Sequence, residues 1–306
     1  MDYAKKITVT SILLGVLTLT ALLGWIFSQQ SVAQRQAAEP LLTGFQTSAV
    51  TGLEIGTDIV LAKNGTAWTL TYQGKAYPPS ADRAETYLKT LAGLTRDRLV
   101  TTSSDVASFG LDKDFKTLKV LGTAGKVLAD LQVGNANDQG TKVWVRFAGQ
   151  KEVWETDVGF SRTLGMDFNT WADLSIFPGK KAGDLTRIAF DSKLETPDKT
   201  VYAPFDLNKS TKDKKTVWEN RITKASTDTM ASWADLVPTF HVAAFASPAD
   251  GVPPATTLGT VTLTWSDGST DTLKIGPADA QNRYRVTSGT KDVWVNDWAL
   301  GQLLYK

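Results

Sequence analysis

The sequence predicts an α+β protein: an N-terminal transmembrane helix followed by two related domains of mostly antiparallel sheet with helices packed on one face. Three observations predict it. A strand-rich passage is written twice, turn residues punctuate short β-prone runs, and one uncharged apolar stretch stands near the N-terminus.

The repeated passage fixes the domain count. Residues 131–157 read LQVGNANDQGTKVWVRFAGQKEVWETD, and residues 273–297 read LKIGPADAQNRYRVTSGTKDVWVND. Leu131, Val133, Gly134 and Ala136 answer to Leu273, Ile275, Gly276 and Ala278. Gly149, Lys151, Val153, Trp154 and Asp157 answer to Gly289, Lys291, Val293, Trp294 and Asp297. The separation is far longer than a solenoid period, so a whole domain is duplicated. A chain of 306 residues holds about two domains of ordinary size. They are expected at residues 50–178 and 179–306, divided near the turn-prone Pro178-Gly179-Lys180-Lys181-Ala182-Gly183.

The N-terminal stretch comes first in the chain. Residues 7–27 carry no charge and follow Lys5 and Lys6. As a helix they would span roughly 31 Å, close to the hydrocarbon thickness of a bilayer. Trp25 suits the far interface, and the two lysines favour a cytoplasmic tail of residues 1–6. The expectation is a signal anchor in the inner membrane at 7–27, a polar stalk at 28–49, and an extracytoplasmic remainder. Ser31-Val32-Ala33 resembles a signal-peptidase site and supplies the competing reading, a cleaved signal peptide.

In the first domain, Asn64-Gly65 between IVLAK and TAWTLTY predicts a type I′ hairpin. Ser80 caps a predicted helix to Ala92, with Ala84, Tyr87, Leu88 and Leu91 on one face. Strands are expected at 97–102, 117–121, 127–133, 142–148 and 151–156, with a turn at Phe109-Gly110-Leu111-Asp112 and a helix at 158–165. In the second domain, strands are expected at 185–190, 199–204, 216–221, 239–246, 283–287 and 291–295. A hairpin over 260–275 turns at Asp267-Gly268, a helix capped by Ser226 or Thr227 runs to Val237, and another covers 296–304. The glycines of the repeated passage are read as turn glycines. A functional surface is expected where the copies differ: the 191–216 insertion, the 247–257 loop, or the groove between the domains.

Composition excludes several chemistries. With no cysteine there is no disulfide, thiolate ligand or cysteine nucleophile. One histidine, His241, cannot build a multi-histidine zinc site, and its apolar surroundings suggest a core or edge residue with one hydrogen bond. Net charge is +1, which argues against nucleic acid as a partner. Lys212, Lys214 and Lys215, interrupted by Asp213, read as a solvated loop. No phosphate-binding glycine loop and no Gly-x-Ser-x-Gly elbow occurs. No cofactor, metal ligand or catalytic residue is expected. The ten tryptophans are the chemical excess. Trp154 and Trp294, matched between copies, are read as core residues; any exposed one among Trp144, Trp218, Trp265 and Trp298 is a partner-site candidate.

The run AWTLTYQGKAYPPSADRAETYLKTLAGL, then FGLD, LQVGNA and VRFAGQKEVW, resembles the bacterial domain of unknown function 4340 family. WADLSIFPGKKAGDLTRIAF resembles its inter-repeat stretch, although Ala172 stands where the family often has an arginine before the aspartate. The resemblance implies a membrane-anchored protein, often encoded beside ABC transporters of the gliding-motility type, and supplies no catalytic residues. The expected function is therefore a non-enzymatic extracytoplasmic accessory or scaffold subunit of a membrane complex, partnered by membrane lipid through residues 7–27 and by transporter permease subunits. The alternative is an envelope glycan- or peptide-binding module using exposed tryptophans.

Overall fold

A computed structural model describes residues 39–306. The anchor expected at 7–27 lies outside the described residues. Among the described residues, no helix is long and apolar enough to cross a membrane.

The chain begins with β1 (Val50–Ile55) and a meander of β2 (Ile59–Asn64), β3 (Ala67–Tyr72) and β4 (Lys75–Tyr77). Helix α1 (Ala81–Ala92) follows, then β5 (Arg98–Thr101), β6 (Lys116–Gly122), β7 (Val127–Ala136), β8 (Lys142–Phe147), β9 (Val153–Asp157) and α2 (Gly159–Leu164). Next come β10 (Leu185–Phe190), the short pair β11 (Leu194–Glu195) and β12 (Val201–Tyr202), then β13 (Phe205–Lys212) and β14 (Lys215–Asn220). The chain closes with α3 (Asp228–Leu236), β15 (Ala244–Phe245), β16 (Gly259–Trp265), β17 (Thr270–Ala278), β18 (Arg283–Ser288), β19 (Lys291–Asn296) and α4 (Asp297–Leu303). The protein is thus a sheet-rich α+β protein with few helices.

Contacts group the described residues into two compact units, 39–56 with 85–165, and 57–84 with 166–306. In the first unit six strands run in the order β1-β6-β7-β8-β9-β5, each pair antiparallel. Strand alternation sends Leu118 and Val120 of β6, Leu131 and Val133 of β7, and Val143 and Val145 of β8 into the core. The helix face expected on α1 is buried as Ala84, Tyr87, Leu88 and Leu91. Tyr87 donates its hydroxyl to the Phe160 carbonyl at 3.2 Å, and burial pushes its pKa up.

In the second unit the sheet order is β14-β13-β10-β16-β17-β18-β19-β15. Its stretch β10-β16-β17-β18-β19-β15 repeats the six-strand order of the first unit. The core holds Val261 and Leu263 of β16, Leu273 and Ile275 of β17, and Val293 and Val295 of β19. Thr227 caps α3 by accepting from the Met230 amide at 3.1 Å, as its sequence position predicts.

Several expectations are corrected. The first hairpin pairs Asn64 with Ala67, so its central residues are Gly65 and Thr66. Only Gly65 has a positive φ, the pattern of a type II′ turn rather than I′. The 239–246 strand shrinks to Ala244–Phe245, because Phe240 and Val242 pair instead with Ile176 and Leu174. The segment 191–216 contains all of β13, a strand that falls between the expected strands at 199–204 and 216–221. The lysine cluster is a hairpin: Lys212 pairs with Lys215, and Asp213 and Lys214 both have positive φ, as a type I′ turn requires. Lys212 pairs with Glu219 at 3.0 Å across that hairpin.

Candidate functional site

A cleft of about 610 Å³ lies in the second unit and is built on one strip of chain, residues 167–176. One edge of the strip pairs with residues 78–80: Ser80 donates to Trp171 O at 2.7 Å, and Asp173 donates to Pro78 O at 2.9 Å. Its other edge pairs with residues 240–242, where Val242 donates to Leu174 O at 3.0 Å and Ile176 to Phe240 O at 3.3 Å. Trp171 is buried beneath the strip. Phe168 stacks on Tyr72, centroids 4.4 Å apart at 7°, and meets Tyr77 at 4.4 Å with the rings tilted by 49°. Tyr77 donates to Ala246 O at 3.0 Å, and burial raises its pKa to about 12.

The cleft is lined by Ser80, Arg83, Asp167, Asn169, Asp173 and His241, with Met166, Leu174 and Ala244 between them. Asp167 accepts from the Asn169 amide at 2.5 Å, which starts the 3-10 turn Phe168–Trp171. Asn169 clamps the edge strand β15: its Oδ1 accepts from the Phe245 amide at 2.6 Å, and its Nδ2 reaches the Phe245 carbonyl at 3.5 Å. That side chain occupies the place of a neighbouring strand. Asp173 accepts from the Ser175 amide at 3.0 Å.

His241 is exposed rather than buried in the core, and it makes two contacts rather than one. Its Nδ1 lies 2.6 Å from Thr239 O, and its Nε2 lies 3.2 Å from Ser175 Oγ. A carbonyl only accepts, so Nδ1 carries the proton and Nε2 accepts from the hydroxyl. The Ser175–His241 pair follows from register, since the two residues face each other across an antiparallel bridge. Lys291, from the repeated passage, donates to Ile176 O at 2.5 Å, and burial pushes its amine pKa down. Arg83 and Asn169 carried no signal in the sequence. Asp167 and Asn169 do form a short capping spacing, but nothing local points from Asn169 to Phe245.

The tryptophans divide differently from the expectation. Trp171, Trp218 and Trp265 are buried. Trp154 and Trp294 are only half-buried and lie on the faces opposite Val153 and Val293. Each is covered by arginine instead of core. The Arg96 guanidinium lies 5.2 Å from the Trp154 ring, and those of Arg283 and Arg285 lie 4.6 and 5.0 Å from Trp294. Trp298 on α4 is 73 % exposed.

Gly134 and Gly276 are also corrected, because both lie inside strands, β7 and β17. A Cβ on Gly134 would come within 2.1 Å of the Phe109 carbonyl. The FGLD turn therefore rests directly on that strand, with Gly110 at φ +66°. The two motifs form one packing unit. Gly149 and Gly289 are turn glycines with positive φ, as expected.

Among the described residues, no group of three His, Cys, Asp or Glu side chains is placed to hold a metal ion. Fold and cleft together define a sheet-rich α+β protein with a preformed polar groove. The chain belongs to the domain of unknown function 4340 (DUF4340) family, whose model matches residues 68–258. That match includes the whole strip 167–176. No curated protein and no solved structure matches the chain.

Proposed function

We propose that the protein is a non-enzymatic accessory or scaffold subunit of a membrane complex, anchored in the inner membrane by residues 7–27 with its bulk outside the cytoplasm. The observation that carries this reading is how the cleft uses its polar groups. Asp167, Asn169 and Asp173 are each hydrogen-bonded to backbone of the cleft's own walls. Such side chains are spent on holding a surface in shape, which suits recognition of a partner more than proton or group transfer. The repeated passage and the six-strand order shared by β1 with β5–β9 and β10 with β15–β19 support reading the chain as a duplicated domain. The family resemblance points to an ABC transporter of the gliding-motility type as the complex, with its permease subunits as the partner.

The test is affinity purification of the full chain in mild detergent. A membrane protein is expected to co-elute in fixed ratio, with recovery reduced about tenfold by Arg83→Glu on the cleft wall. A monomeric chain that brings down no membrane protein contradicts the proposal.

A second reading rests on Trp298. An indole exposed to this degree is a ready platform for a sugar ring or peptide side chain. A fluorescence titration with envelope glycans that saturates in the wild type and is abolished by Trp298→Ala would favour it.

A further inference from the structure

The first unit contains a separate cavity of about 420 Å³, within the roughly 300–1,000 Å³ range of small-molecule sites. Its wall is mixed: Leu41, Leu42, Phe45, Val127, Leu128 and Phe147 form the apolar part, and Thr43 and Gln46 stand beside them as neutral polar groups. Val127 is 49 % exposed at the rim. The charged side chains in the lining are Arg96 and Lys126, and no acid lines it.

Arg96 is unusually placed. Its guanidinium lies between two rings, 5.5 Å from Phe147 and 5.2 Å from Trp154. One Nη donates to Leu41 O over a long 3.4 Å, while Nε is buried with no hydrogen-bond partner among the described residues. A buried donor left without a partner is costly, and a ligand anion would relieve that cost. Lys126 has no ion-pair partner among the described residues.

The position of the cavity in the chain points to its occupant. Glu39 and Leu41, the start of the described chain, pair with the segment that carries Arg96: Arg96 donates to Glu39 O at 2.7 Å and Leu41 donates to Leu94 O at 2.8 Å. The uncharged run 7–27 ends at Phe27, and even a fully extended chain from there to Leu41 spans only roughly 50 Å. We propose that this cavity binds one anionic phospholipid, its phosphate on Arg96 and Lys126 and part of an acyl chain against Leu42, Phe45 and Val127. The proposal rests on the membrane-anchored reading for its supply of lipid.

The test is native mass spectrometry of the full chain, extracted in mild detergent and exchanged into micelles containing phosphatidylglycerol or phosphatidylcholine. One phosphatidylglycerol per chain is expected to persist, with about tenfold preference over phosphatidylcholine. The double variant Arg96→Gln/Lys126→Gln should lose that preference. Ala49→Trp should also lose the lipid by filling the cavity from its exposed rim while keeping both cations. Equal retention of the two lipids, or unchanged retention in both variants at native melting temperature, overturns the proposal. Displacement of the lipid by inorganic phosphate at equal concentration would also overturn it, since the acyl chain would then contribute nothing. The intact mass in the same spectra reports whether residues 7–27 are retained, so failure of the anchor is read separately from failure of the site.

Discussion

At the scale of single residues, the side chains that matter most here are those whose partners lie far away in sequence. Gly134 was legible as a repeat-matched residue but not as a packing requirement, because the Phe109 carbonyl that excludes a Cβ lies in another turn. Gly134→Ala should cost about 3 kcal/mol or more, whereas Gly276→Ala should cost about 1 kcal/mol. A Cβ on Gly276 meets the Arg285 carbonyl at the milder distance of 3.1 Å. Chemical denaturation of both variants checks the contrast, and equal losses would refute the packing account. Arg285 is similar. It is only 3 % exposed, forks onto Asp292 at 2.5 and 2.6 Å, and donates to the carbonyls of Asp250 and Gly251 at 3.1 and 2.9 Å. Removing one partner strands a buried charge, so Asp292→Ala should lose about 3–5 kcal/mol. The double variant Arg285→Met/Asp292→Leu should be more stable than that single variant. A double variant no more stable than the single would sink the argument. In the sequence nothing marked Arg285 beyond its place in the strand expected at 283–287. The tryptophans were misjudged for the same reason: alternation places Trp154 opposite Val153, but the arginine that covers it comes from a loop 58 positions earlier (154 − 96).

At the scale of elements, periodicity and turn chemistry were legible wherever one face is apolar. The α1 stripe, the Thr227 cap and the hairpin strands β16 to β19 follow directly from residue spacing. The type I′ hairpin at Asp213-Lys214 was hidden because its strands are polar on both faces near the turn, leaving no alternation to read. The 239–246 run failed in the opposite way. It is apolar enough for a strand, but tertiary pairing with the strip 174–176 takes most of its backbone. Two ion pairs at the start of β5, one to β8 and one to β9, carry a pH prediction. Lys142 meets Asp97 at 2.6 Å, and Arg98 meets Glu155 at 2.8 Å. Burial alone would raise the Asp97 pKa, but hydrogen bonds from Lys142 and Thr95 outweigh it and hold the carboxyl below its ordinary 3.8. The hydrogen bond to Asp97 raises Lys142 above its ordinary 10.5. The pair's stabilisation is therefore complete above the ordinary aspartate value and below the ordinary lysine value. It is lost as pH falls through the lowered Asp97 pKa or rises through the raised Lys142 pKa. The difference in melting temperature between wild type and Asp97→Asn should be flat from roughly pH 5 to 9 and vanish at both extremes. Both side chains are partly solvated, so the gain is below about 1 kcal/mol. A difference that persists at pH 2 would contradict the assignment.

At the scale of the whole molecule, the α+β class, the family and the twofold recurrence were legible, since each is written in strand spacing and in motifs that survive in both copies. The cleft was not. Residues 171–176 of its strip belong to the stretch that resembled the family's inter-repeat segment, yet only the backbone pairing to residues 78–80 and 240–242 turns that stretch into a groove wall. Its polar residues come from three separate stretches between Ser80 and His241, and none belongs to a local motif with a known ligand. The proposed docking of a membrane-protein partner in this groove can be read directly in the cell. The most direct measurement is in-cell photocrosslinking with a benzophenone amino acid replacing Arg83 on the exposed cleft wall, with the same replacement at Lys151, which does not line the cleft, as a control. The account predicts one discrete adduct with a membrane protein from position 83 and none from position 151. No adduct from position 83, or the same adducts from both, would contradict it.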